Sequence, residues 1–217
     1  MRSLLNKELT LAVSPLTWMF LLGTFMTLLP GYPILLSAFF VCLGIFYSFQ
    51  GYRESNDILY TALLPIRKAD AVRAKYLIVL FFQGLAFLII CVLTVLRMTI
   101  LSSAGAYLSN FLNNPNPVFL AFVLMVFLSF NTFFVCGFFR TAYKFGWPFI
   151  GFVAAAVLLV LLSEILPHVP GLEFLHSTSG ERLGVQFAVF GIAVLVFVIG
   201  TFLAEQTAEK RFESIDL

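Results

Sequence analysis

Charge is what this chain has least of. Only 11% of its 217 residues are Asp, Glu, Lys or Arg, against 61% hydrophobic, and the mean hydropathy is +1.01. A soluble domain carries about 25% charged and about 45–50% apolar residues. The composition therefore excludes an ordinary water-soluble fold and describes an integral membrane protein. Cysteine is scarce too: Cys42, Cys91 and Cys136 are odd in number and widely spaced. They offer no disulfide framework and no metal-ligand spacing, and read as small apolar packing residues. Nucleotide-binding and hydrolytic signatures are missing as well, with no G-x-x-x-x-G-K-[ST], H-E-x-x-H or G-x-S-x-G. Outside the hydrophobic runs no segment is longer than 26 residues, and units below about 40 residues rarely fold unaided. No soluble catalytic domain is hidden here, and the chain is not expected to be an enzyme.

The expected fold is an all-α membrane protein with six spans. Tyr76–Leu96, Val118–Phe139, Phe145–Ser163 and Leu183–Leu203 carry no charge, and each approaches the roughly 20 helical residues that a bilayer core of about 30 Å demands. Leu16–Leu29 and Ile34–Phe49 are shorter and are separated by Pro30-Gly31-Tyr32-Pro33, a strong turn signal. No small-x-small cleavage site follows the first. The pair reads as a membrane hairpin whose first helix borrows Leu11–Pro15 or thins the bilayer locally. The whole of 1–217 is read as one transmembrane domain.

Basic residues set the orientation. With the N-terminus inside, the cytoplasmic segments collect Arg2, Lys7, Arg53, Arg67, Lys68, Arg73, Lys75, Arg140, Lys144, Lys210 and Arg211, leaving only Arg97 and Arg182 for the outer loops. That asymmetry places both termini in the cytoplasm. The leader MRSLLNKELTLAVSP puts Leu4, Leu5, Leu9, Leu11 and Ala12 near one side of a helix, with Arg2, Asn6, Lys7 and Glu8 largely opposite. It is expected to lie in the cytoplasmic interface. Trp18 and Trp147 fall near the cytoplasmic ends of their spans, where amphipathic rings prefer to sit.

No Asp, Glu or His stands inside a span away from its ends. Proton-coupled carriers need such groups at depth, so uphill transport would draw its energy from outside this chain. The polar groups at depth are of the kind of Gln83, Ser129, Asn131, Thr132 and Gln186. Asn131 and Gln83 either line a pathway or bond across a helix interface, the second being the simpler reading. A sodium-coupled carrier built on hydroxyls and carbonyls stays open. Glu164, His168, Glu173 and His176 gather in the last outer loop, but Pro167 and Pro170-Gly171 interrupt them. Neither their spacing nor supporting partners point to a metal.

What the chain does have is one charged island. Gln50–Lys75 holds five of the thirteen basic residues and sits between two spans on the cytoplasmic side. Within it Asp57 is placed to cap a short helix, Ile58–Leu64, which Pro65 ends. Ile58, Leu59, Ala62 and Leu63 form its apolar stripe, with Tyr60, Thr61 and Leu64 at the flanks. Arg67 and Lys68 follow at its C-terminal end, the sign the helix dipole favours. Glu54, Asp57 and Asp70 interleave with the basic residues, which weakens a purely electrostatic attraction to the membrane and favours a protein partner.

Glu54, Asp57, Leu64-Pro65-x-Arg67 and Val72-x-x-Lys75-Tyr76 together resemble the signature of ABC-2 type permeases, the membrane subunits of ATP-binding-cassette exporters. The resemblance extends over the whole chain. It implies that the helix between spans two and three is a coupling helix inserting into a cleft of a separate ATPase subunit. That role falls on Glu54, Asp57, Ile58, Leu59, Ala62, Leu63 and Leu64, with Pro65 and Arg67 as its stop. The loop Arg140–Lys144 corresponds to a second, smaller cytoplasmic contact. ATP and magnesium belong to the partner ATPase, and this chain itself holds no cofactor. A second permease copy or paralogue and membrane lipid are the other expected partners; nucleic acid is not. Small family members resemble exporters of amphipathic peptides from a prokaryotic plasma membrane. The segment after span five is short for the family, which leaves the outer gate undefined. The competing reading is a non-ABC membrane scaffold whose basic loop recruits a cytoplasmic partner for assembly only.

Overall fold

A computed structural model describes residues 7–57, 60–61, 66–101, 105–108, 112, 114–141, 144–175 and 182–215. Regular structure among these residues is entirely helical. Six principal helices follow one another: α1 (Pro15–Leu28), α2 (Leu36–Glu54), α3 (Lys68–Thr99), α4 (Pro117–Phe138), α5 (Gly146–Ile165) and α6 (Leu183–Glu213). Four of them, α3 to α6, are long and apolar enough to cross a membrane. The chain is a multi-pass membrane protein. α1 is shorter, and the last turn of α2 carries Gln50, Arg53 and Glu54, which dilutes its apolar content.

α1 gains reach by changing geometry. Pro15 begins it behind a Ser14 cap whose Oγ accepts from the Leu16 amide. After Phe20 the chain tightens into eight residues of 3₁₀-helix, Leu21–Leu28. At roughly 2.0 Å per residue against 1.5 Å, the whole element extends about 25 Å instead of about 21 Å. The Thr24 and Thr27 hydroxyls donate to the Leu21 and Thr24 carbonyls, at 2.7 Å each, so the tightened segment keeps its polar atoms satisfied. Gly31, with φ of 72°, makes the turn that returns the chain. α1 then presses on α2. Thr17 Oγ1 donates to the Gly44 carbonyl and lies 2.7 Å from Ser48 Oγ. A Cβ on Gly44 would stand 2.5 Å from Phe20 Cβ, so the close approach needs glycine.

The core is aromatic. Phe46, Phe49, Phe130, Phe134, Phe138, Phe149 and Phe152 interlock between α2, α4 and α5, with centroids 4.2 Å apart for Phe46–Phe149 and 4.9 Å for Phe130–Phe134. Edge-to-face and tilted pairs of this kind add directional preference to the area they bury. The opposite faces of α5 and α6 stay open and apolar, as at Ile150, Leu158, Phe187, Leu195 and Val198. In a bilayer such faces meet lipid or another helix rather than water.

Three helices depart from the hydrophobic runs. α3 begins eight residues before Tyr76 and continues past Leu96 to Thr99, so Arg97 belongs to its last turn and not to an outer loop. The guanidinium is buried against α1. α6 continues ten residues beyond Leu203, because its polar end is anchored. Arg73 Nε and Nη2 donate to the two Glu209 oxygens, Lys68 Nζ donates to the Ile215 carbonyl, and Arg211 Nη1 reaches the Cys136 carbonyl. α4 contains a π-helical stretch, Phe130–Val135.

Candidate functional site

The charged island is held by buried ion pairs. α2 ends at Glu54, and Asn56 takes a left-handed conformation, φ 52°, which its short polar side chain tolerates. The reversal turns Asp57 back toward the start of α3. Lys75 Nζ, in the second turn of α3, donates to Asp57 Oδ2 at 2.8 Å and to the Glu8 oxygens at 3.1 and 3.2 Å. It also sits 3.4 Å from the centroid of the Tyr52 ring, a cation–π contact. Lys7 pairs with Asp57 from the other side and donates to Thr61 Oγ1 at 2.8 Å. Two cations and two carboxylates thus form a neutral quartet that joins three segments distant in sequence.

Lys75 and Glu8 are each only 2% exposed. Burying a charge is expensive unless it is paired and hydrogen-bonded, and each of these is answered by an opposite charge. At Asp57 burial by itself raises the carboxyl's pKa. Lys75 and Lys7, through charge and hydrogen bonds, outweigh it and hold the group below the ordinary carboxylate value.

This arrangement corrects one expectation and adds to another. Glu8 does not lie on a solvent-facing side of the leader: its π-helical turn, Glu8–Ala12, directs the carboxylate inward to Lys75, while Leu9 is exposed. The Asp57 carboxylate is engaged by Lys7 and Lys75, a use the capping pattern did not anticipate. Ile58, Leu59, Ala62, Leu63, Leu64 and Pro65 lie outside the described residues, as do 1–6 of the leader. Around them, Glu54 is exposed at the end of α2, Tyr60 is exposed, Thr61 is buried, and Arg67 is exposed at the N-cap of α3.

The loop between α4 and α5 sits beside the end of α2. Arg140 and Lys144 are exposed, and the Arg53 guanidinium from the end of α2 lies 4.9 Å from the centroid of the Phe145 ring. Arg53, Lys144, Phe145, Gly146 and Trp147 line one open recess, with Trp147 82% exposed.

Gln83 and Asn131 exchange amide hydrogen bonds, Gln83 Nε2 to Asn131 Oδ1 at 2.9 Å and Asn131 Nδ2 to Gln83 Oε1 at 3.0 Å. Asn131 also donates to Thr201 Oγ1, and the Tyr76 hydroxyl donates to the Asn131 carbonyl. The π-helical stretch of α4 therefore carries a fully buried polar knot that ties α3, α4 and α6. In the last outer loop, His168 Nδ1 lies 2.9 Å from the Glu164 carbonyl oxygen. Among the described residues no three His, Cys, Asp or Glu gather as metal ligands; His176 lies outside them.

Sequence reasoning missed the quartet as a unit. Lys75 stood in the recognised pattern and Asp57 in the island, but nothing in a linear reading pairs residue 8 with residue 75. The available signal was that Glu8 is the one acidic residue preceding Glu54.

Residues 3–207 match the family model described as ABC-2 family transporter protein. Comparison with curated proteins gave no match, and neither did comparison with solved structures.

Proposed function

The chain is a member of the ABC-2 transporter family, and from that premise we propose that it is the membrane subunit of an exporter driven by a separate ATPase. The ATPase binds ATP and magnesium. Its contact is the island Glu54, Asp57–Leu64, Pro65 and Arg67, with Arg140 and Lys144 as a second, smaller contact. All six helices span a prokaryotic plasma membrane with both termini in the cytoplasm. Two permeases, identical or paralogous, enclose the substrate route, because six helices packed on an aromatic core surround little space alone. The cargo is an amphipathic peptide or comparable amphiphile, a class suited to walls of Phe, Leu and Val.

The observation that carries this reading is the quartet. Asp57 and Thr61, at the described ends of the docking loop, are bonded to Lys75 on α3 and to Lys7 in the leader. A push on the loop therefore reaches the α3 backbone through charged hydrogen bonds, which are about twice as strong as neutral ones. From α3 it passes through the Gln83–Asn131 knot to α4 and α6.

Docking and transmission separate experimentally. Ile58→Asp or Leu63→Asp is expected to abolish co-purification of an ATPase while leaving membrane insertion intact. Gln83→Leu, which cuts the link from α3 to Asn131, is expected to keep the ATPase bound but to weaken transport per ATP hydrolysed in reconstituted vesicles. An ATPase that still co-purifies with both aspartate variants overturns the docking assignment.

A further inference from the structure

We propose that the far end of α3 is an anion site for a phosphate group, contributed by a phospholipid headgroup or by free phosphate. Arg97 is 3% exposed and Thr94, one turn earlier on the same face, 2%. Arg97 Nη1 donates to the Thr27 carbonyl at 2.6 Å, and the guanidinium carbon lies 4.6 Å from the centroid of the Tyr107 ring. Tyr107 in turn donates to the Leu28 carbonyl at 2.8 Å. The side chain is thus fixed at the end of α1. Yet Arg97 Nε and Nη2, and Thr94 Oγ1, are buried with no hydrogen-bond partner.

Those two nitrogens form the edge by which a guanidinium grips an oxyanion with two parallel hydrogen bonds. The chain demonstrates the geometry elsewhere: Arg73 offers the same Nε and Nη2 to Glu209. At Arg97 the edge faces no carboxylate. No Asp or Glu occurs anywhere from residue 71 to residue 163, and among the described residues none forms an ion pair with Arg97. A buried, positioned and uncompensated cation is costly unless an anion completes it.

Depth selects the kind of anion. Lys75 and Arg97 lie 22 residues apart on one helix, about 33 Å at 1.5 Å per residue. That is close to the roughly 30 Å hydrocarbon thickness, so with Lys75 at one headgroup level Arg97 stands at the other. Headgroup phosphates are concentrated there. Two parallel donors and a hydroxyl suit a tetrahedral phosphate.

The test uses the full chain, purified in detergent and delipidated. It is titrated with short-chain phosphatidylglycerol in one arm and inorganic phosphate in the other, and bound ligand is counted by native mass spectrometry. One phospholipid per chain is expected on the wild type. Arg97→Gln should weaken it by about tenfold or more. Arg97→Lys, which keeps the charge but loses the fork, should fall between, and Thr94→Val should lose a few-fold. Binding in the lipid arm alone identifies the headgroup as source; binding in both identifies phosphate as sufficient. Absence of binding to wild type in both arms overturns the site, as does equal binding by wild type and Arg97→Gln. Should Arg97→Gln fail to fold, unchanged affinity in both Arg97→Lys and Thr94→Val overturns it.

Discussion

The two ends of α3 handle the same problem in opposite ways. Each buries a cation against the N-terminal segments, Lys75 against the leader and Arg97 against the end of α1. Lys75 is answered by two carboxylates, and the quartet it completes is neutral. Arg97 has only a carbonyl and an aromatic ring. Pairing within the chain makes a joint between the charged loop, the leader and α3. A cation left for something outside the chain makes a site.

The largest break in that contrast is expected from Lys75→Met. It strips two buried carboxylates of their shared cation and should cost about 3–5 kcal/mol, read as the shift of a denaturant unfolding curve in detergent. A loss below about 1 kcal/mol would mean that the quartet is loosely hydrated and not a joint. Next comes Asn131→Leu, which leaves the Gln83 amide without its partner at membrane depth and should cost about 1–3 kcal/mol. The double variant with Gln83→Leu should recover about 0.6 kcal/mol of that, the average size of such couplings between membrane helices.

Acid offers a smaller, graded loosening. The Asp57 carboxyl is held below its ordinary value in the folded chain, so the unfolded chain binds the extra proton first as pH falls. The stability this pairing gives is complete above about pH 4, the unperturbed carboxylate range, and declines below it. Asp57→Asn should flatten that decline in a pH series of unfolding midpoints; an identical pH series for both proteins would refute the assignment. Arg97→Gln should have the smallest net effect on stability, because losing a charged bond to Thr27 worth about 1.5–3 kcal/mol is offset by removing an unpaired buried cation, and no carboxylate is stranded. A loss as large as that of Lys75→Met would reveal a hidden counter-charge and erase the difference between the two ends.

Much of this was legible in the sequence. The four long helices follow directly from charge-free runs, since length and apolarity are additive local properties. The hairpin of α1 and α2 was legible in Pro30-Gly31-Tyr32-Pro33, although the means by which α1 gains length, a switch to 3₁₀ geometry, was not. Arg97 was misplaced because a charge conventionally ends a hydrophobic run, whereas here the helix continues and α1 buries the side chain. Glu8 was misread because helical sidedness describes a segment in isolation, and Lys75 outweighs it.

Composition and hydrophobic runs alone place the chain in a membrane, locate the centres of its long helices and mark the loop that carries the charge. The sequence also carries the pattern by which the ABC-2 family is known. Which charges meet emerges from the packing: Glu8 with Lys75, Asp57 with both lysines, and Arg97 with no carboxylate among the described residues. Hydrophobic runs announce themselves residue by residue, but ion pairs between positions 67 residues apart exist only once the helices have packed. In a low-dielectric interior, that packing determines whether a charge serves as a joint or as a binding site.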